Sequence, residues 1–215
     1  MSYNLEKYKN EDLRIVKTKI HLLNALRTLL YKDNFTKITV QDICGEALVS
    51  RAAFYTHYVD KYALLKDSLL ETGQEFLDSI RSCGNDDKQK ETVIGNFIYD
   101  YRKTIMNLMS ESDSELLNIM SDFLIHFIGC AVTGDKLGTV EEIEKSIKNA
   151  KNNRDSLLQT SIYTFCAGGI LGALLSYSQK KFPPDSKEGA VYIYKLIRLL
   201  VYNNDIVKMI KYNKI

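Results

Sequence analysis

The chain has 215 residues, 45% of them hydrophobic and 26% charged, which is the composition of an ordinary globular protein with enough length to bury a substantial core. Its net charge of +2 is too small to mark a nucleic-acid binder by itself, yet residues 1–70 hold 11 Lys and Arg against 8 Asp and Glu, and the remainder 18 against 19. Cys44, Cys83, Cys130 and Cys166 stand far apart with no Cys-x-x-Cys or Cys/His cluster, which argues against a disulfide framework or structural zinc and for a reducing cytosol.

Nearly the whole chain reads as helix. The only prolines are Pro183 and Pro184, and no stretch alternates as a half-buried strand would. The expected class is therefore all-α. Residues 1–12 are polar and of mixed charge, unlike a secretory signal, and read as a flexible arm in which Lys7 and Lys9, with Arg14 just beyond, either touch DNA or are simply solvated. A helix from about Leu13 to Lys32 carries a wide apolar stripe of Ile15, Val16, Ile20, Leu22, Leu23, Leu26, Leu29 and Leu30.

From Thr39 to Leu65 the chain packs three helix starts closely together. Thr39 with Asp42 makes a capping-box pattern, and Val40, Ile43 and Ala47 follow on one face. Leu48 and Val49 form a turn, Ser50 caps a second helix to about Tyr58, and Asp60 caps a third, with Val59 and Leu64 placed for a hydrophobic staple. This is the pattern of a helix-turn-helix DNA reader. Arg51, Ala52 and Ala53 occupy the first turn of the middle helix, where base edges are met, while Phe54 and Tyr58 are spaced for the core. Tyr55, Thr56, His57 and Lys61, together with the helix N-termini capped by Thr39 and Ser50, suit phosphate oxygens. The same spacing also describes a solvated three-helix cluster with no ligand.

The run TVQDICGEALVSRAAFYTHYVDKYALL resembles the DNA-binding domain of the TetR family of bacterial transcriptional regulators. The specific pieces are D-I then E-A, V-S-R opening the reader helix, F-Y-x-H-Y closing it, and D-K-x-x-L-L leading onward, over roughly residues 13–66. Leu48 departs from the family, which most often has Gly at this turn position because Gly tolerates positive φ.

Beyond the reader, helices are expected over about 61–81, 89–109, 113–131 and 141–151, with Gly134 and Gly138 marking a loop. Ser156 to Gln179 has no charge across 24 positions, but its apolar part is shorter than a bilayer span and the reading is a buried helix, with no membrane partner. Gly168, Gly169, Gly172 and Ala173 make one side of it small enough for another helix to approach closely. A last helix, 188–211, carries Tyr194, Ile197 and Val201 on its apolar stripe. The resemblance implies that these two helices dimerise as a four-helix bundle, and a dimer is needed on physical grounds as well, because one short reader helix contacts few base pairs.

The resemblance also implies an effector pocket among the C-terminal helices. The candidate lining is Tyr99, Tyr101, Arg102, Phe123, His126, Phe127, Cys130, Tyr163 and Cys166, each of which also reads as ordinary core. No metal or cofactor is expected. His21, His57 and His126 stand at no metal spacing, and no G-x-S-x-G, P-loop or dinucleotide-binding fingerprint occurs, which argues against an enzyme. The expected organisation is an arm at 1–12, a helix-turn-helix domain at 13–66, and an effector-binding and dimerisation domain at 67–215. The expected function is a cytoplasmic, homodimeric repressor that binds double-stranded operator DNA and is released by a small-molecule effector. A regulator controlled by a protein partner, an activator, and an all-α enzyme remain as alternatives.

Overall fold

The computed structural model describes residues 12–109, 113–142, 145, 154–178 and 195. The arm, the Pro183-Pro184 turn and the seam positions Tyr194, Ile197 and Val201 lie outside the described residues. Among the described residues the structure is helical, with α1 at Leu13–Lys32, α2 at Val40–Ala47, α3 at Arg51–His57, α4 at Lys61–Ser82, α5 at Asp87–Asp100, α6 at Arg102–Met109, α7 at Ser114–Thr133 and α8 at Arg154–Ser178.

Short polar side chains fix the helix starts by accepting the first free backbone N–H groups. Thr39 and Asp42 form the reciprocal capping box of α2. Ser50 Oγ accepts from Ala53 N at 3.1 Å and Asp60 Oδ1 from Ala63 N at 2.8 Å. The staple expected between Val59 and Leu64 is absent, because Val59 is 80% exposed while Leu64 is fully buried. The reason is local. Tyr58 and Asp60 flank it in extended conformation, where neighbouring side chains point to opposite sides, and it is Tyr58 that turns inward.

A single helix was expected over 89–109, whereas the structure divides it at Tyr101, which has φ −90° and ψ 5°. Arg102 stands at the interruption. Its guanidinium lies 4.1 Å from the Tyr99 ring and donates to the Tyr99 carbonyl at 2.7 Å, and the Tyr101 N–H is shared between the carbonyls of Phe97 and Tyr99. The helical ladder then resumes with Ile105 N–H on Tyr101 O at 2.8 Å. As a result α5 lies along α4, while α6 turns to pack on α1 and α8.

The apolar core of the reader is continuous with the body. Leu22, Leu26, Phe35, Ile43, Phe54 and Leu64 belong to one buried cluster with Leu108 and Met109 of α6 and with Leu116, Ile119 and Met120 of α7. Polar ties cross the same boundary. Asn107 donates from Nδ2 to Leu30 O at 2.8 Å and accepts Phe35 N–H on its carbonyl at 3.3 Å. Among the described residues α7 alone is long and apolar enough to cross a membrane, with mean hydropathy 1.6, and it packs on α8 and α4.

Tyr62 of α4 donates to Asp113, the N-cap of α7, at 2.7 Å. This bond holds the Asp113 carboxyl below its usual range and pushes the Tyr62 hydroxyl up from 10.0 to about 12, with burial adding to the second shift. The lowered Asp113 gives stability that is present above the ordinary carboxylate range and lost in acid. The raised Tyr62 gives stability that is complete below 10.0 and lost as pH climbs through about 12. Urea midpoints for Tyr62→Phe are therefore expected to fall less steeply than those of the wild type in that alkaline window. Identical alkaline slopes would show that the bond contributes nothing.

Candidate nucleic-acid interface and interior cavity

The reader helix α3 is presented by tight links at both ends. At its start, Val49 N–H bonds Cys44 O at 3.1 Å and Leu48 N–H bonds Gly45 O at 3.4 Å, closing α2 with a left-handed residue. That residue is Leu48 itself, with φ 56° and ψ 40°. A leucine thus occupies the backbone conformation that favours glycine, and its side chain is 92% exposed instead of being buried at the turn. At the other end, the Tyr58 hydroxyl donates to Asp67 at 3.1 Å, and Asp67 also pairs with Lys19 of α1 at 2.7 Å.

Phe54 is the single buried residue of α3, and its ring meets those of Tyr55 and Tyr58 at 5.4 and 6.0 Å. Arg51 and Ala52 are exposed, and Ala53 is half-buried. The Arg51 guanidinium lies 6.0 Å from the Tyr55 ring, and the neighbouring Tyr55 hydroxyl holds it firmly in the charged form. Tyr55 is half exposed. Thr56 turns its hydroxyl back onto the carbonyls of Ala52 and Ala53 at 3.1 and 2.7 Å, leaving its methyl and an oxygen lone pair on the surface. His57 is half-buried beside Tyr58, with ring centroids 6.3 Å apart. Thr39 has its hydroxyl on Asp42 at 2.6 Å, so it acts as a cap.

Lys61 stands apart from the other expected phosphate ligands. Its ammonium donates to the carbonyls of Phe35, Thr36 and Ile38 at 2.9, 3.1 and 2.8 Å, and lies 4.6 Å from the Phe35 ring. All three of its donors are occupied. Burial lowers its pKa, with Asp113 acting in the opposite sense. Lys61 closes the loop between α1 and α2 from beneath, and its spacing in the sequence could not distinguish that role from an outward one.

Behind the reader lies a cavity of roughly 230 Å³ bounded by α1, α4, α5, α6, α7 and α8. Its wall is mainly apolar. Phe76 stacks on Phe97 at 3.9 Å and faces Phe127 at 5.8 Å. Of the residues expected to line a pocket, Phe123, Phe127 and Tyr101 do so. Tyr99, Arg102, His126, Cys130, Tyr163 and Cys166 lie outside the wall. His126 donates from Nε2 to the Leu137 carbonyl at 2.6 Å, and Cys130 bonds the Lys136 carbonyl at 3.3 Å, so both secure the loop after α7. Tyr163 is buried against Gly129, where a Cβ would come within 3.3 Å of its ring. Burial pushes the Cys130 and Cys166 thiols up, the state of inert core cysteines.

Sequence reasoning missed Ser68, Thr72, Gly73 and Phe76 of α4 and Thr104 of α6, which line the wall. The signal was available in Ser68 and Thr72, small polar residues four apart on an otherwise apolar helix face.

The tightly linked α2 and α3, capped at both starts and backed by α1, define a helix-turn-helix DNA-binding unit on a helical body. Residues 22–67 match the family described as bacterial regulatory proteins, tetR family. The match covers the helix-turn-helix part of the chain, which is similar to the DNA-binding domain of the tetR family of bacterial regulatory proteins. Over 89 residues it is 36% identical to the uncharacterized HTH-type transcriptional regulator YxbF of Bacillus subtilis (strain 168), which amounts to 40% of this chain and 23% of that protein. The chain thus spans less than a quarter of that relative. The crystal structure of a TetR transcriptional regulator from Streptococcus agalactiae 2603V superposes with a TM-score of 0.50 at 21% identity, covering 87% of this chain and 96% of that one, and so shares its fold.

Proposed function

We propose that the protein is a homodimeric repressor that reads a pseudo-palindromic operator with α3 and is released when a small molecule occupies the interior cavity. The carrying observation is the division of α3 into one buried anchor, Phe54, and an outer face of Arg51, Ala52 and Tyr55 held at a fixed angle by links at both ends. Arg51 would read bases. Tyr55, with the N-terminus of α3, would hold phosphate. The cytoplasm is the proposed location, because a reader of operator DNA acts there.

Dimerisation is supported by the outer face of α8. Phe165 is 68% exposed, and a Cβ built on Gly168 or Gly172 meets nothing within 4 Å. The expected seam of Gly168, Gly169, Gly172 and Ala173 lies on this helix, which is close enough to the cavity for Ile170 and Leu174 to reach the wall. Coupling to DNA has a physical route through α6, whose Thr104, Ile105 and Leu108 line the cavity and whose Asn107 bonds the end of α1 and the loop before α2. An occupant that shifts α6 would move the reader and change half-site spacing.

Titration of specific and random duplexes tests this assignment. Arg51→Ala is expected to flatten the preference for the specific duplex by about 1–3 kcal/mol, which is the value of one good base contact. Tyr55→Phe should weaken both duplexes alike, since phosphate contacts carry no sequence information. Unaltered discrimination in Arg51→Ala would remove α3 as the base reader.

A further inference from the structure

The cavity is apolar over most of its wall, with a few uncharged polar side chains among the lining residues. Ser68 and Thr72 project from successive turns of α4, Thr104 comes from α6, and Tyr101 stands at the junction of α5 and α6. Ser68 is the single buried polar side chain among the described residues, at 5% exposure. Elsewhere in the chain Thr18, Ser79 and Thr92 return their hydroxyls to a carbonyl one turn back in their own helices, at 2.9, 2.8 and 3.0 Å. Neither Ser68 nor Thr104 does so. On the cavity wall these two hydroxyls are open to bond a molecule inside it.

The two charged residues on the wall are already neutralised. Arg27 pairs with Glu71 at 3.3 Å, both side chains being largely buried. Arg81 donates to the carbonyls of Cys130 and Asp135 at 3.2 and 2.5 Å, with Asp78 at 3.6 Å. An anionic ligand would therefore add a second negative charge beside Glu71, in surroundings too apolar to solvate it. A cationic ligand would find no carboxylate on the wall to pair with, and Glu71 beside it is already taken by Arg27.

We propose that the cavity selects an uncharged, mainly apolar molecule bearing one hydroxyl or carbonyl, with the polar group on Ser68 and Thr104 and the body against Phe76, Phe97, Phe123 and Phe127. The proposal rests on the reading of this cavity as the effector site. Its volume suits a compact ligand, since it falls below the roughly 300–1,000 Å³ of common ligand pockets. The hydroxyls serve either polar group, because each can donate or accept.

The test compares 2-naphthol with 2-naphthoate, equal in ring system and opposite in charge state at neutral pH, by calorimetry on the full chain. 2-Naphthol is expected to bind about tenfold or more tightly than 2-naphthoate, given the desolvation penalty of an unpaired anion. Ser68→Ala should weaken the naphthol by about 5- to 10-fold, the value of roughly one hydrogen bond. Ala131→Phe and, independently, Ser68→Leu fill the cavity and should abolish binding, with the helical signal retained by at least one of them. If 2-naphthoate binds as well as or better than 2-naphthol and the filling variants remove it, the uncharged class is wrong while the effector site stands. If neither probe binds saturably, or if binding survives both filled cavities, the effector reading and the ligand class fall together.

Discussion

Phe54→Ala is expected to lower stability by about 3–5 kcal/mol, the range for deleting a buried aromatic ring, and to abolish DNA binding at temperatures where the body remains folded. The magnitude follows from isolation. The helix α3 has seven residues, too short to be stable by itself, and Phe54 is the only one of them that is buried. Its ring closes the cluster formed with Leu26, Ile43, Ala47 and Leu64, so its removal opens a void beneath the helix whose angle it sets. Tyr58→Phe is the control. It removes only the hydroxyl bonded to Asp67 and should cost about 1 kcal/mol. Thermal unfolding of the two variants decides the matter, and a loss below about 1 kcal/mol for Phe54→Ala with DNA binding intact would refute the anchoring role.

Lys61→Ala is expected to cost about 2–3 kcal/mol, because the carbonyls of Phe35, Thr36 and Ile38 lose a shared charged donor in a half-buried site. The contact with the Phe35 ring disappears as well. The salt dependence of DNA binding should hardly change. If Lys61 were instead a phosphate ligand, as its place in the sequence suggests, the slope of log K against log salt would fall by about 0.9 per subunit while stability stayed intact. Denaturant midpoints and a salt titration of the same variant separate the two roles.

These two residues show what was legible in the sequence and what was not. Caps depend on one residue and its neighbours three positions on, so Thr39, Ser50 and Asp60 fall where the sequence places them. Phe54 and Tyr58 turn inward as helical spacing requires. Lys61 contacts residues 23 to 26 positions earlier, and no local pattern reports a partner at that distance. The break at Tyr101 coincides with Arg102 donating to the Tyr99 carbonyl, a side-chain contact that helix propensity does not report.

The cavity was hardest to foresee. A pocket is the space that several helices leave between them, and aromatic or titratable residues on one helix do not reveal which way they face. His126 and Tyr163 looked like ligand-binding groups because each is polar in an apolar helix, yet His126 satisfies a loop carbonyl and Tyr163 packs on Gly129. The wall of α4 is only faintly marked in the sequence, where the cap and the bounds of that helix are most legible. Its Ser68 and Thr72 in fact face the interior that α6 shares with the reader.

Selection of bound duplexes from a random pool by the wild-type protein tests the central claim most directly. The account predicts enrichment of two inverted half-sites at fixed spacing, with the base preference in each half-site erased when the selection is repeated with Arg51→Ala. No enrichment at all, or a single asymmetric site indifferent to Arg51, would contradict it.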